Sequence, residues 1–129
     1  MRLVIVRHAE AESGEPDELR SLTDEGRAQA RALGERLRAE GIVPDALLTS
    51  PLLRARETAA ELGFGSAEPH DALRPGATAD DVREAVAGRG ETVLVVGHQP
   101  DCGQIAAELG DGVEPSFPPA GVVVLDLTT

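Results

Sequence analysis

The sequence predicts an α/β fold: one three-layer α/β/α domain built on a mostly parallel central sheet. Three observations predict it. Short apolar runs rich in β-branched residues, at 2–6, 45–49 and 92–96, alternate with stretches of helical periodicity, as when parallel strands are joined by crossover helices. The 129 residues suit a single domain over 1–129. Hydrophobic residues make up 41% of the chain and aromatics only 2%, so the core must be built from Leu, Val, Ile and Ala.

Residues 2–6 read as the first strand, buried on both faces because no polar residue interrupts Leu3-Val4-Ile5-Val6. A polar loop over 10–20 follows, with Gly14 and Pro16 as breakers. Thr23 has the chemistry of an N-cap, and Asp24 and Glu25 complement the first turn of the helix dipole. Ala30, Leu33 and Leu37 mark one helical face, and Gly41 is placed to stop that helix. Residues 45–49 read as the second strand. Ser50 then caps a second helix with Pro51 at its first position, running to about 62, where Gly63-Phe64-Gly65 breaks it. A weak strand is expected over 66–70. Thr78-Ala79-Asp80-Asp81 forms a capping box, with Asp in place of the usual Glu, and opens a short helix to about 87. Residues 92–96 are the clearest buried strand. Gly97-His98-Gln99 forms a turn, Pro100 starts a helix through 109, and 122–127 makes the last strand. No internal repeat, low-complexity tract or linker is visible.

The formal net charge of −11 argues against nucleic acid or an anionic membrane as a partner, so any phosphate site must be a local basic pocket in a negative field. The near absence of aromatics removes base-stacking platforms. All 12 basic residues are Arg, a bias of coding rather than of function. Cys102 is the single cysteine, so no intrachain disulfide forms. There is no run of 18 apolar residues and no signal-peptide pattern, and a cytoplasmic location is the expectation.

Three segments carry the same chemistry. Arg7-His8 follows the first strand. Ser50-Pro51-Leu52-Leu53-Arg54-Ala55-Arg56-Glu57-Thr58 follows the second, with Arg54 near the positive end of a helix. Gly97-His98 follows the strand at 92–96. Ligand sites in open α/β sheets gather at the carboxyl ends of strands, so two histidines and two arginines converge if these strands are neighbours. Neutral imidazole is a nucleophile near pH 7, guanidinium grips phosphoryl oxygens, and backbone N–H groups at helix starts add donors. Plainer readings stand beside this one. Arg7-His8 can be a solvated strand end, and Arg54 can pair with Glu57 or Glu61. Arg20 can reach a substrate or pair with Asp17 or Asp24. Arg56 belongs on the surface, His70 is exposed and idle, and Cys102 is a small buried hydrophobe.

These motifs resemble the histidine phosphatase superfamily, named for an Arg-His-Gly motif in which Ala9 here stands for Gly. The resemblance spans nearly the whole chain through Arg7-His8, Arg20-Ser21-Leu22-Thr23-Asp24-Glu25-Gly26, Ser50-Pro51 to Thr58, and Val96-Gly97-His98. Short length, Leu73-Arg74-Pro75-Gly76 and Gly97-His98-Gln99-Pro100 are most similar to the small SixA-type phosphohistidine phosphatases. The resemblance implies a phosphoglycerate mutase-like fold with no large cap or lid insertion. It implies His8 as the nucleophile that takes the phosphoryl group, with Arg7, Arg54 and His98 lining the phosphate pocket and stabilising transition-state charge. Neighbouring guanidinium groups would keep His8 neutral. No metal and no cofactor are expected, because the arginines supply the positive charge.

Larger relatives that cleave phosphate esters carry a glutamate that protonates the leaving alkoxide, a contribution of roughly 10²–10⁴-fold. The corresponding stretch here is Pro69-His70-Asp71-Ala72-Leu73-Arg74, with Ala72 at the acid position and Asp71 beside it. Asp71 is therefore a candidate general acid or, more simply, a solvated turn residue. An imidazole leaving from a P–N bond needs less help. The expected function is a phosphohistidine phosphatase, acting as a monomer on a phosphohistidine-bearing protein and releasing inorganic phosphate. The alternatives are a small-molecule phosphomonoesterase of the same superfamily and a non-catalytic phosphate- or phosphoprotein-binding module. Ala9 is expected to keep an ordinary negative φ, since a left-handed Ala is penalised.

Overall fold

The computed structural model describes residues 1–127. Its elements follow the predicted alternation: β1 (Arg2–Arg7), α1 (Asp24–Ala39), β2 (Ala46–Thr49), α2 (Leu53–Glu61), β3 (Glu68–Pro69), α3 (Ala79–Val86), β4 (Thr92–Gly97), α4 (Asp101–Leu109) and β5 (Val122–Asp126). Short 3-10 turns lie at Asp17–Leu19 and Asp71–Leu73. The five strands form one sheet in the order β3-β2-β4-β1-β5. β1, β4, β2 and β3 run parallel, and β5 is the antiparallel edge.

Strand alternation sends each strand's side chains to opposite faces, and each face has its own helical cover. Leu3, Ile5, Val93 and Val95 pack with Val82 and Val86 of α3 and Ile105 and Ala106 of α4. Val4, Val6, Leu94 and Val96 pack with Leu33 and Leu37 of α1 and Ala55 and Ala59 of α2. The apolar runs at 3–6 and 93–96 are continuous because β1 and β4 are covered on both sides. The three-layer α/β/α architecture with a mostly parallel sheet follows, and no helix among the described residues is long and apolar enough to cross a membrane.

Local chemistry explains the boundaries. Thr23 Oγ1 accepts from Gly26 N–H at 2.9 Å and caps α1, and Gly41 takes φ +76 just beyond its end, where a left-handed residue closes the last turn. The Thr78–Asp81 capping box forms in both directions. Gly34 lets α1 lie against α2, because a Cβ there would overlap the Leu62 backbone carbonyl. Two helix starts differ from the sequence expectation. α2 begins at Leu53, with Leu52 at the cap position and no side-chain cap. Ser50 lies two residues before the cap position, where its hydroxyl accepts from Leu52 N–H at 3.3 Å and meets His98 Nε2. α4 begins at Asp101, with Pro100 at its cap position.

The parallel order brings the carboxyl ends of β2, β4 and β1 side by side. Over that edge run residues 8–23, including the Asp17–Leu19 turn, and the segment 110–121.

Candidate active site

The strand ends are joined directly. His8 N–H donates to the Gly97 carbonyl at 3.0 Å, and Ser50 N–H donates to the Val96 carbonyl at 3.0 Å, each extending a strand pairing into the loop beyond it. His8 and His98 therefore face one another, with ring centroids 5.3 Å apart and planes inclined by 58°.

His8 is partly buried, and its Nδ1 lies 2.7 Å from the Ala9 carbonyl. A carbonyl only accepts, so Nδ1 carries the proton and Nε2 holds the lone pair. Burial lowers the His8 pKa from 6.5 to about 4. The Ala9 carbonyl opposes that shift, while the charges of Arg54, Arg7 and Arg20 reinforce it. Burial, rather than the guanidinium neighbours alone, keeps this ring neutral. Ala9 is fully buried and packs with Leu22 and Ala30. Its φ is not positive; among the described residues the non-glycine residue with positive φ is Ala120. The extra methyl relative to Gly thus fills a small apolar niche without backbone strain.

Thr58 ties this turn to α2. Its Oγ1 accepts from Ala9 N–H at 3.0 Å and donates to the Arg54 carbonyl at 2.7 Å. Arg54 itself is 5% exposed. Its Nη1 donates to the Asp17 carbonyl at 2.9 Å, and its Nη2 to the Asp17 carboxylate at 3.2 Å. Arg7 Nη1 donates to the Phe117 carbonyl at 2.9 Å. Both guanidinium groups are anchored through their terminal nitrogens, and both Nε–H groups are buried without a partner. The third such atom among the described residues is His98 Nδ1. An orphaned buried polar group costs about 1–3 kcal/mol, so these three, two arginine donors and one imidazole nitrogen, call for an explanation. Oxygens of an anion are one kind of partner that such groups would accept. The free Nε edge of an arginine can grip two phosphoryl oxygens as a fork.

His98 is 3% exposed. Burial, with the charges of His8 and Arg54, lowers its pKa to about 3, so it too is neutral. The arrangement places a neutral imidazole beside fixed positive charge, a combination suited to phosphoryl transfer.

Arg20 lies at the rim. Its Nε donates to the Glu12 carbonyl at 2.6 Å and its Nη1 pairs with Asp17 at 3.1 Å, so Asp17, rather than Asp24, is its partner. Asp17 therefore bridges Arg20 and Arg54. Glu57 and Glu61, the alternative partners for Arg54, are taken by Arg27 and Arg31 of α1. Asp71 is 89% exposed and pairs with Arg74 at 3.4 Å. No hydrogen bond among the described residues joins it to His8, Arg54 or His98. His70 is not idle: half-buried, its Nδ1 accepts from Ala72 N–H at 3.2 Å and caps the Asp71–Leu73 turn. Arg56 is exposed and donates to the Pro51 carbonyl. Cys102 is buried, its thiol pushed up to about 12 by burial.

Sequence reasoning missed Ser50, Thr58 and the grip of Asp17 on Arg54. For Thr58 a signal existed, since a threonine four residues after Arg54 on a helix commonly bonds back to that carbonyl. The other two depend on tertiary packing.

The chain is similar to several known proteins. Residues 3–89 match the model of the histidine phosphatase superfamily (branch 1). A solved structure of the protein histidine phosphatase SixA complexed with tungstate is 28% identical, with a TM-score of 0.89 over 98% of this chain and 88% of that one. A protein of Picosynechococcus sp. strain PCC 7002 is 33% identical over 123 residues, 87% of this chain and 74% of that protein. The mitochondrial serine/threonine-protein phosphatase Pgam5 of Drosophila mojavensis is 45% identical over 58 residues, 44% of this chain; the match spans only 20% of that protein. The chain thus belongs to the histidine phosphatase superfamily, as a phosphatase-class hydrolase with a SixA-like, phosphoglycerate mutase-like fold.

Proposed function

We propose that the chain is a phosphohistidine phosphatase that takes a phosphoryl group from a protein histidine onto His8 and releases it to water. The observation that carries this reading is the set of orphaned buried atoms on Arg7, Arg54 and His98, gathered around a His8 whose Nε2 lone pair is free. His8 Nε2 attacks phosphorus as the P–N bond to the substrate imidazole breaks, and the departing nitrogen takes a proton. Water then attacks phospho-His8, giving inorganic phosphate and the original imidazole. Arg7, Arg54 and His98 hold the three equatorial oxygens, so their positive charge and donors need no rearrangement as charge spreads in the transition state. The outward turn of Asp71 towards Arg74 supports a leaving group that needs no protein acid, which an imidazole satisfies better than an alkoxide.

The test is dephosphorylation of a phosphohistidine protein and of p-nitrophenyl phosphate side by side, with His8→Ala as control. Preferential turnover of phosphohistidine that is lost in His8→Ala is the expected result. Equal or better ester turnover would replace the reading with a small-molecule phosphomonoesterase, and phosphate binding without turnover would replace it with a binding module.

A further inference from the structure

The hydroxyl of Ser50 lies 2.8 Å from His98 Nε2, and Ser50 is fully buried. Neither partner has access to water, so the proton between them is decided by the groups around them. Ser50 Oγ already accepts from Leu52 N–H at 3.3 Å. The opposite ring nitrogen, His98 Nδ1, is buried and unpartnered. An imidazole that is neutral carries one N–H, on one nitrogen or the other. A phosphoryl dianion offers acceptors only. Were the proton on Nε2, Nδ1 would turn a lone pair towards the anion and repel it. With the proton on Nδ1, the ring donates to phosphate, and Nε2 needs a donor at its back.

From this contact we infer that Ser50 is a positioning residue that fixes the tautomer of His98, donating its hydroxyl proton to Nε2 so that Nδ1–H faces the phosphoryl group. The inference rests on the reading of His98 as a phosphate donor. The hydroxyl can donate to the histidine and accept from Leu52 N–H at once, so both of its contacts across the strand ends are satisfied together. It also makes His98 a neutral donor rather than an imidazolium, so the pocket keeps its polarity across a wide pH range and releases its product without first shedding a proton. Ser50 touches no reacting atom; its effect runs through His98.

The test uses the full chain, labelled with ¹⁵N, and inorganic phosphate as the probe. The chain has three histidines, so long-range ¹H–¹⁵N spectra resolve the tautomer of each. In phosphate-loaded wild type, His98 is expected to show a protonated Nδ1 and a bare Nε2. In Ser50→Ala the Nε2-protonated form appears, and phosphate binding weakens about 10- to 100-fold, the consequence of leaving one buried acceptor unpaired. A wild-type spectrum with the proton on Nε2 overturns the inference whatever the variant does. So does a folded Ser50→Ala with unchanged tautomer and unchanged phosphate affinity, and in both cases the proposed function stands. If millimolar phosphate perturbs no histidine in wild type, the phosphate pocket itself is refuted, and the inference falls with it.

Discussion

Replacing Thr58 by Val tests how the site is held together. The two side chains are nearly the same shape, so the change removes a hydroxyl without opening a cavity. Thr58 and Ala9 are both fully buried. The Arg54 carbonyl keeps the helical N–H four residues on, but Ala9 N–H loses the Thr58 hydroxyl at 3.0 Å, its one partner among the described residues. An unpaired buried donor costs about 1–3 kcal/mol. Unfolding entropy near 2.1 cal/mol/K per residue gives about 0.27 kcal/mol/K for a domain of this length, so each kcal/mol moves Tm by about 4 °C. Thr58→Val should therefore melt about 4–11 °C below wild type in a circular dichroism scan. Ala9 also supplies the carbonyl that orients His8, so kcat should fall by roughly tenfold or more while KM changes less. Thr58→Ser keeps the hydroxyl and should keep most of kcat, losing only the stability of one buried methyl, about 1 kcal/mol. A Thr58→Val protein that melts within 1 °C of wild type, or a Thr58→Ser protein as inactive as Thr58→Val, would refute the role of the Thr58 hydroxyl in holding Ala9.

Four further outcomes are expected. The acid limb of kcat/KM should have its midpoint near 4, where His8 protonates, rather than near 6.5; a limb at 6.5 would mean that burial does not protect the ring. The same shift acts on stability: unfolded histidines bind protons from about pH 6.5 downwards that folded His8 and His98 refuse until about 4 and 3, so Tm should fall as pH drops through that window, and a flat Tm from 6.5 to 4 would contradict it. Arg54→Lys exchanges a two-pronged donor for a point charge and should lower kcat/KM by roughly 10²–10³ with the fold intact by circular dichroism; near-wild-type activity would exclude Arg54 from the pocket. Gly34→Ala forces a Cβ against the Leu62 carbonyl and should cost about 1–3 kcal/mol in urea unfolding, whereas a neutral result would mean that α1 and α2 part easily.

The fold was legible where one physical signal dominated. The unbroken apolar runs of β1 and β4 announce strands covered on both faces, and Thr23, Gly41 and Thr78 punctuate helices by short-range chemistry. The starts of α2 and α4 fall two residues and one residue beyond the expected ones, because Ser50-Pro51 and Pro100 satisfy the local rules for starting a helix while the chain enters each helix slightly later. That Arg7, His8, Arg54 and His98 gather at one sheet edge was legible for a topological reason: each ends or follows a parallel strand, and parallel neighbours end at one edge. What anchors them was not. Asp17 meets Arg54 across 37 residues of sequence, Ser50 meets His98 across 48, and Ala9 meets Thr58 across 49. No periodicity encodes such pairs. Local charge spacing even pointed elsewhere, since Glu57 and Glu61 lie on Arg54's own helix yet serve Arg27 and Arg31 from α1. The neutrality of His8 was anticipated from the arginines, while burial, which leads it, emerges only when the strand ends pack.

The central claim is that His8 Nε2 carries the phosphoryl group. The most direct measurement is rapid mixing with a phosphohistidine protein, quenching in alkali, where phosphohistidine survives, and peptide mapping by mass spectrometry. The account predicts a phosphoryl adduct on the peptide containing His8, formed and lost during turnover and absent from His8→Ala. Turnover that persists in His8→Ala, or an adduct on any other residue, would contradict it.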